Sequence, residues 1–188
     1  MASLSSVSAI LYAKGGGRKG AAMLGYVTAD EHGLTDFVLA AVAARLQALD
    51  WPLAGVVQVN ANPGPDCRCA MDLHVLQGAQ VVRISQNLGP LSRGCRLNSG
   101  ALEQAVGLVE AALDAHPRLL IVNKFGKAEI EGRGFRPLIG RAMVEGLSVL
   151  TAVHCDSLAG FQAFAEGLGQ ALPPDPEAVL EWCLARAT

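Results

Sequence analysis

Leu119-Leu-Ile-Val-Asn-Lys-Phe-Gly-Lys-Ala-Glu129 is the stretch that decides the fold. Four apolar residues in a row meet a polar turn that runs on through glycines to Gly134. A short unbroken apolar run bounded by turn residues is a strand covered on both faces. It is predicted over Arg118–Asn123, with helical patterns on either side. Upstream, Ser99–Ala115 carries the stripe Leu102, Ala105, Val106, Val109 and Leu113, with Asn98 or Ser99 as cap and Pro117 as stop. Downstream, Pro137 opens a helix that closes near Gly146.

The same alternation extends in both directions. Met23–Ala29, Leu53–Val59 and Ser148–Val153 read as further apolar strands. Leu34–Leu49 repeats Leu34, Val38, Val42 and Leu46 at helical spacing before Trp51-Pro52. Asp156 or Ser157 caps a helix to about Gln170, and Asp175 caps a last one with Pro176 at its first position. Residues 70–86 read as a hairpin of two arms, AMDLHVL and AQVVRIS, joined at Gln77-Gly78. The expected fold is α/β: a mainly parallel sheet with helices on both faces and an inserted β-hairpin. Ligands in such sheets sit at the carboxyl ends of the strands. That places the interest in loops 30–35, 60–69, 123–134 and 154–156.

The chain has 188 residues, and 23–188 are expected to form one domain. Residues 1–22, with Lys14-Gly-Gly-Gly-Arg-Lys-Gly20, read as a flexible or accessory N-terminal extension. A 51% apolar content excludes an extended disordered chain, and a net charge of −2 argues against a nucleic-acid binder. No apolar run is long enough for a membrane span. The 5 cysteines are odd in number and irregularly spaced, so they make no disulfide framework. With no basic, apolar leader, the expectation is a cytoplasmic protein with free thiols.

Several constellations could carry chemistry. The loop Asp30-Glu-His-Gly-Leu-Thr-Asp36 lacks the G-x-x-x-x-G-K-[ST] phosphate cradle. Its three carboxylates suit a helix start but repel phosphate. Where nucleotide hydrolases end a strand in Asp-Glu, for Mg²⁺ and for activating water, this chain has Asn123-Lys124. Glu129 and Glu131 follow closely enough to stand in as a base, with Lys124 as the catalytic cation. Nine of the 15 Lys and Arg residues fall between Arg83 and Arg141. Ser92-Arg93-Gly94-Cys95-Arg96 holds two of them in one loop, and Lys124, Lys127, Arg133 and Arg136 crowd another. Arginine forks and glycine backbone amides both suit an oxyanion. Cys67-Arg-Cys69, with His74 beside Asp72, is a candidate metal set, as is the pair His154-Cys155, although zinc sites more often show C-x-x-C.

Taken together, LLIVNKFGKAEIEGRGF resembles the Walker-type strand of small RecA-like nucleoside triphosphatases. Val149-Leu-Thr-Ala-Val-His154 resembles their next strand, and the hairpin sits where those enzymes carry one. The chain is more similar still to an uncharacterised bacterial domain family. The shared motifs are Gly55–Gln58, Met71–Leu73, Ile84–Gly89, Gly94–Leu97 and Val122–Gly134, within residues 24–183. The resemblance implies a P-loop-NTPase-like fold with degenerate Walker motifs. It also implies a link to molybdenum, because members are often encoded beside molybdate-transport genes.

The first functional expectation is a binding protein for a nucleotide with Mg²⁺ or for a tetrahedral oxyanion such as molybdate. It would be accessory to molybdenum uptake or cofactor metabolism. Arg93, Arg96, Lys124, Lys127 and Arg133 would contact the anion; Gln86, Ser92 and Asn123 would donate hydrogen bonds; Gly94, Gly126 and Gly134 would let the backbone approach. The alternatives are an NTPase or phosphotransfer enzyme with a rearranged site built on Glu129, Glu131 and Lys124, and a metal or thiol module on Cys67, Cys69 and His74. The expected partners are a small anionic ligand, a second copy of the chain, or a protein of the molybdate system.

Overall fold

The computed structural model describes residues 24–31, 33–61, 70–86 and 97–186. The strands are β1 (Leu24–Val27), β2 (Leu53–Ala61), β3 (Ala70–Val75), β4 (Val81–Arg83), β5 (Leu119–Phe125), β6 (Ser148–Val153) and β7 (Gly169–Leu172). The helices are α1 (Leu34–Ala48), α2 (Ser99–Leu113), α3 (Lys127–Ile130), α4 (Arg136–Glu145), α5 (Leu158–Ala165) and α6 (Pro176–Leu184). One 7-stranded sheet runs in the order β4-β3-β2-β5-β6-β1-β7. β2, β5, β6, β1 and β7 are parallel, and β3 and β4 add the hairpin antiparallel at one edge. The expected α/β architecture with its inserted hairpin is therefore present.

Two apolar layers sandwich the sheet. α1 and α6 cover one face, with Val38, Leu39, Val42 and Leu46 packed against Val57, Ile121, Leu150 and Trp182. α2, α4 and α5 cover the other, where Leu102, Val109, Ile139 and Phe161 meet Val56, Leu120, Val122 and Val149. The close seam between β2 and β5 depends on Gly55, at φ 121: a Cβ there would lie 1.8 Å from the Ile121 carbonyl oxygen. Helix ends follow the sequence signals. Asn98 Oδ1 accepts from Ala101 N at 3.1 Å, Asp175 Oδ2 accepts from Ala178 N at 3.1 Å, and Gly146 closes α4 at φ 82.

Three boundaries differ from the sequence reading. The helix expected to reach Gln170 stops at Ala165, because Glu166 and Gly167 turn left-handed at φ 48 and φ 82. The residues that follow form β7, paired in parallel with β1. β5 also runs past Asn123 to Phe125, which pairs with Val153 beyond a break in register after Val122. The Thr151 hydroxyl donates to the Val122 carbonyl at 2.7 Å and fills that break.

Topology fixes where a ligand can sit. The chain leaves β1 through α1 over one face and leaves β6 through α5 over the other. A crevice therefore opens at the carboxyl ends of these neighbouring strands, with the ends of β5 and β2 beside it.

Candidate functional site

Helix α1 begins at that edge. Gly33 caps it at φ 82, and Phe37 N bonds the Gly33 carbonyl at 2.9 Å. Asp36, in its first turn, is buried over the end of β2. Its Oδ2 accepts from Asn60 Nδ2 at 2.8 Å and from Gln58 Nε2 at 3.4 Å, and Gln58 Nε2 also donates to Asn60 Oδ1 at 2.8 Å. Its other oxygen, Oδ1, has no hydrogen-bond partner, but Lys124 Nζ stands 3.2 Å away as an ion pair. Lys124 comes from β5, two positions beyond the break in pairing. Its side chain is 36% exposed, so its ammonium borders both Asp36 and solvent.

Next to it, Asn123 is 1% exposed and neither its Oδ1 nor its Nδ2 has a partner. Leaving a buried amide unbonded costs about 1–3 kcal/mol per group, so such an amide calls for an explanation. Asn123 and Lys124 line a cavity of about 220 Å³, walled largely by apolar side chains such as Met71, Leu102 and Phe135.

The loop after β5 is built around Glu129. Its Oε2 accepts from Gly126 N at 2.9 Å and its Oε1 from Phe135 N at 3.0 Å, so one carboxylate ties both ends of the loop. Arg136 Nη1 donates to the Glu129 carbonyl at 3.2 Å, and Glu103 Oε1 accepts from Gly134 N at 3.2 Å. Gly134 has φ +60, and a Cβ there would stand 2.3 Å from Glu129 Oε1. Burial pushes the Glu129 carboxyl above the ordinary glutamate range, and the two backbone amides pull against it.

The remaining expected residues divide clearly. Lys127 and Arg133 are exposed and converge on Glu131, Lys127 at 3.9 Å and Arg133 in direct contact. Gln86 Nε2 is committed to the Leu97 carbonyl at 3.1 Å. Asp72 holds Arg83 through two bonds of 2.8 and 3.0 Å, and that hydrogen bonding keeps its carboxyl below the usual range. His74 sits on β3 between Val57 and Val81 of the adjacent strands. Ser92, Arg93, Gly94, Arg96, Cys67 and Cys69 lie outside the described residues. Sequence reasoning missed Asp36, Gln58 and Asn60 as a group. The available signal was the apolar run of β2 turning polar at Gln58 while still buried.

Residues 24–182 match the family described as "Protein of unknown function (DUF2478)". This chain belongs to the DUF2478 family. The uncharacterised family expected from the motifs is thus borne out. A curated relative of this DUF2478 protein is the molybdenum import ATP-binding protein ModC 2 of Bradyrhizobium diazoefficiens (strain JCM 10833 / BCRC 13528 / IAM 13628 / NBRC 14792 / USDA 110). It is 31% identical over 147 residues, which are 78% of this chain and 16% of that protein. The chain therefore corresponds to a small part of the relative's length. Among solved structures, that of a human cancer-related nucleoside triphosphatase aligns with a TM-score of 0.58 at 14% identity, covering 86% of this chain and 93% of that one. The chain thus shares the α/β fold of that nucleoside triphosphatase.

Counting back from the start of α1, Gly33 and Thr35 match the last glycine and the hydroxyl residue of G-x-x-x-x-G-K-[ST]. Thr28 stands for the first glycine and Leu34 for the lysine. The nearest described ammonium is instead Lys124, brought to the first turn of α1 from β5.

Proposed function

We propose that this DUF2478 protein binds a nucleotide or a tetrahedral oxyanion at the carboxyl edge of its sheet, in the service of molybdenum handling. The observation that carries the proposal is the Asn123-Lys124 pair. A fully buried amide without partners and a half-exposed ammonium stand at the strand end where this fold places its ligands. An incoming anion would draw Lys124 Nζ from Asp36, and the Asn123 amide would gain a hydrogen-bonding partner. Once Lys124 Nζ leaves its Oδ1, Asp36 is the acid placed to hold a divalent cation accompanying a nucleotide.

The molybdenum link rests on the relative. A protein named for molybdenum import contains a segment 31% identical to this chain. A segment of the same type would act with such an importer, as a sensor or partner of its substrate or nucleotide.

Binding is favoured over hydrolysis by the state of the acids. Both oxygens of the buried Glu129 already accept from backbone amides, so its carboxylate is committed to holding the loop. Glu131 is exposed and engaged by two cations. Equilibrium binding of ATP, GTP, molybdate and tungstate, measured beside phosphate release with Mg²⁺, tests the reading. The expected result is binding of at least one of them without turnover. Mg²⁺-dependent turnover lost in Glu131→Gln would replace this reading with a rearranged hydrolase.

A further inference from the structure

His154, Cys155 and Asp156 leave the end of β6 one after another. A short 3-10 turn over Cys155–Ser157 folds their side chains together, and Asp156 N donates to His154 Nδ1 at 3.3 Å. Cys155 Sγ lies 3.6 Å from His154 Nδ1 and 3.8 Å from Asp156 Oδ1, and His154 Nδ1 lies 3.4 Å from Asp156 Oδ2. One ligand atom from each residue falls within 4.8 Å of the others. We propose that these three side chains form a site for a divalent transition metal of zinc type, with its fourth coordination position open.

The spacing is what such an ion needs. Bonds of about 2.3 Å to sulfur and about 2.05 Å to nitrogen and oxygen, in tetrahedral array, put sulfur about 3.6 Å from its neighbours and nitrogen about 3.3 Å from oxygen. The Sγ–Nδ1 separation matches such an edge, while the sulfur and the ring nitrogen each approach a different oxygen of Asp156, at 3.8 and 3.4 Å. With one oxygen serving both neighbours the trio spans up to 4.8 Å, and the exposed Asp156 side chain must turn inward to close on an ion. Among the described residues, no side chain outside the trio bonds to any of them, so no competing partner must be displaced. The contacts exchanged for the metal lie within the trio: Asp156 N to His154 Nδ1, and Cys155 Sγ to Nδ1 and to Asp156 Oδ1.

Location and donor type point the same way. β6 is paired with β1, and the chain leaves these two strands toward opposite faces of the sheet, so the trio sits at the topological switch point. The loop after β1, the strand paired with β6, carries Asp30 and Glu31. One thiolate, one imidazole and one carboxylate suit Zn²⁺, Co²⁺ or Ni²⁺ and not Mg²⁺ or Ca²⁺. Binding releases the Cys155 thiol proton to solvent as the sulfur–metal bond forms. Three protein ligands and one open position are the pattern of exchangeable or catalytic sites, whereas structural sites are closed by four.

The test is a Co²⁺ titration of the full chain with Cys67, Cys69 and Cys95 changed to Ser, so that those thiols contribute nothing. The account expects one equivalent of Co²⁺, with a thiolate-to-metal charge-transfer band and the visible bands of a four-coordinate ion, displaced by Zn²⁺. Adding Cys155→Ser removes the charge-transfer band. His154→Ala, tested separately, weakens Co²⁺ binding by about tenfold or more, since one of three ligands is gone. Absence of the band with Cys155 intact, or its survival in Cys155→Ser, overturns the proposal.

Discussion

Replacing Gly134 by alanine probes the loop that presents the site. Gly134 sits at φ +60, and the new Cβ would fall 2.3 Å from Glu129 Oε1 and 3.3 Å from Leu102 Cδ2. The left-handed backbone alone costs an alanine about 1–2 kcal/mol. The collision adds a second cost, because Glu129 must swing away from Phe135 N, which it now accepts from at 3.0 Å. A buried amide left unpaired costs about 1–3 kcal/mol. Gly134→Ala should therefore lose about 2–5 kcal/mol in urea denaturation, read as a lower midpoint at unchanged slope. Gly132→Ala is the matched control: φ is +85, but nothing lies within 4 Å of its Cβ position. It should lose only the backbone part, about 1–2 kcal/mol. Equal losses in the two variants would refute the claim that Glu129 pins the loop from Gly126 to Phe135.

Further outcomes follow from other positions. Glu129 has a folded pKa above its ordinary 4.5, so its contribution to stability is full below that value and is lost as pH rises through the folded pKa. The stability gap between the wild type and Glu129→Gln should narrow as pH is raised from 4.5 toward neutrality, and a gap that widens would reverse the assignment. Burial pushes the Cys183 thiol up to about 12 from 9.0, so stability should fall by about 1.4 kcal/mol per pH unit between those values from this group, a slope that Cys183→Ala flattens. Lys124→Ala leaves the buried Asp36 without its cation and should cost about 1–3 kcal/mol, much of it recovered when Asp36→Asn is added. Gly55→Ala drives a Cβ to 1.8 Å from the Ile121 carbonyl oxygen, and a loss of more than about 4 kcal/mol, seen as failure to accumulate folded protein, is expected.

The parallel sheet was legible because β2, β5 and β6 are built mainly from apolar residues and because Pro137, Gly146 and Asp175 mark helix ends by known stereochemistry. β7 was not, since Gly-Gln-Ala-Leu has neither a β-branched residue nor alternation, and its strand state comes from pairing with β1. At the site, Asn123 and Lys124 stood out because polar residues close an apolar strand. Asp36 did not, because an acid in the first turn of a helix satisfies the helix dipole wherever it points. Only the crossing of α1 over the end of β2 turns it toward Gln58, Asn60 and Lys124. Glu129 read as a free base because a sequence does not reveal that the chain returns at Phe135 to occupy its second oxygen. The crowd of cations between Arg83 and Arg141 likewise loses much of its free charge, with Arg83, Lys127, Arg133 and Arg141 each held by carboxylates.

The central claim is that Lys124 holds an anionic ligand at the carboxyl edge of the sheet. Thermal unfolding of the wild type and of Lys124→Ala, with ATP, GTP, molybdate, tungstate, sulfate and phosphate, each with and without Mg²⁺, tests it most directly. A ligand at 100 times its dissociation constant stabilises by about 2.7 kcal/mol, a shift of roughly 5–10 °C for a domain of this size. The account predicts such a shift for a nucleotide or a tetrahedral oxyanion in the wild type and its loss in Lys124→Ala. No shift with any of the six, or a shift that persists undiminished in Lys124→Ala, would contradict it.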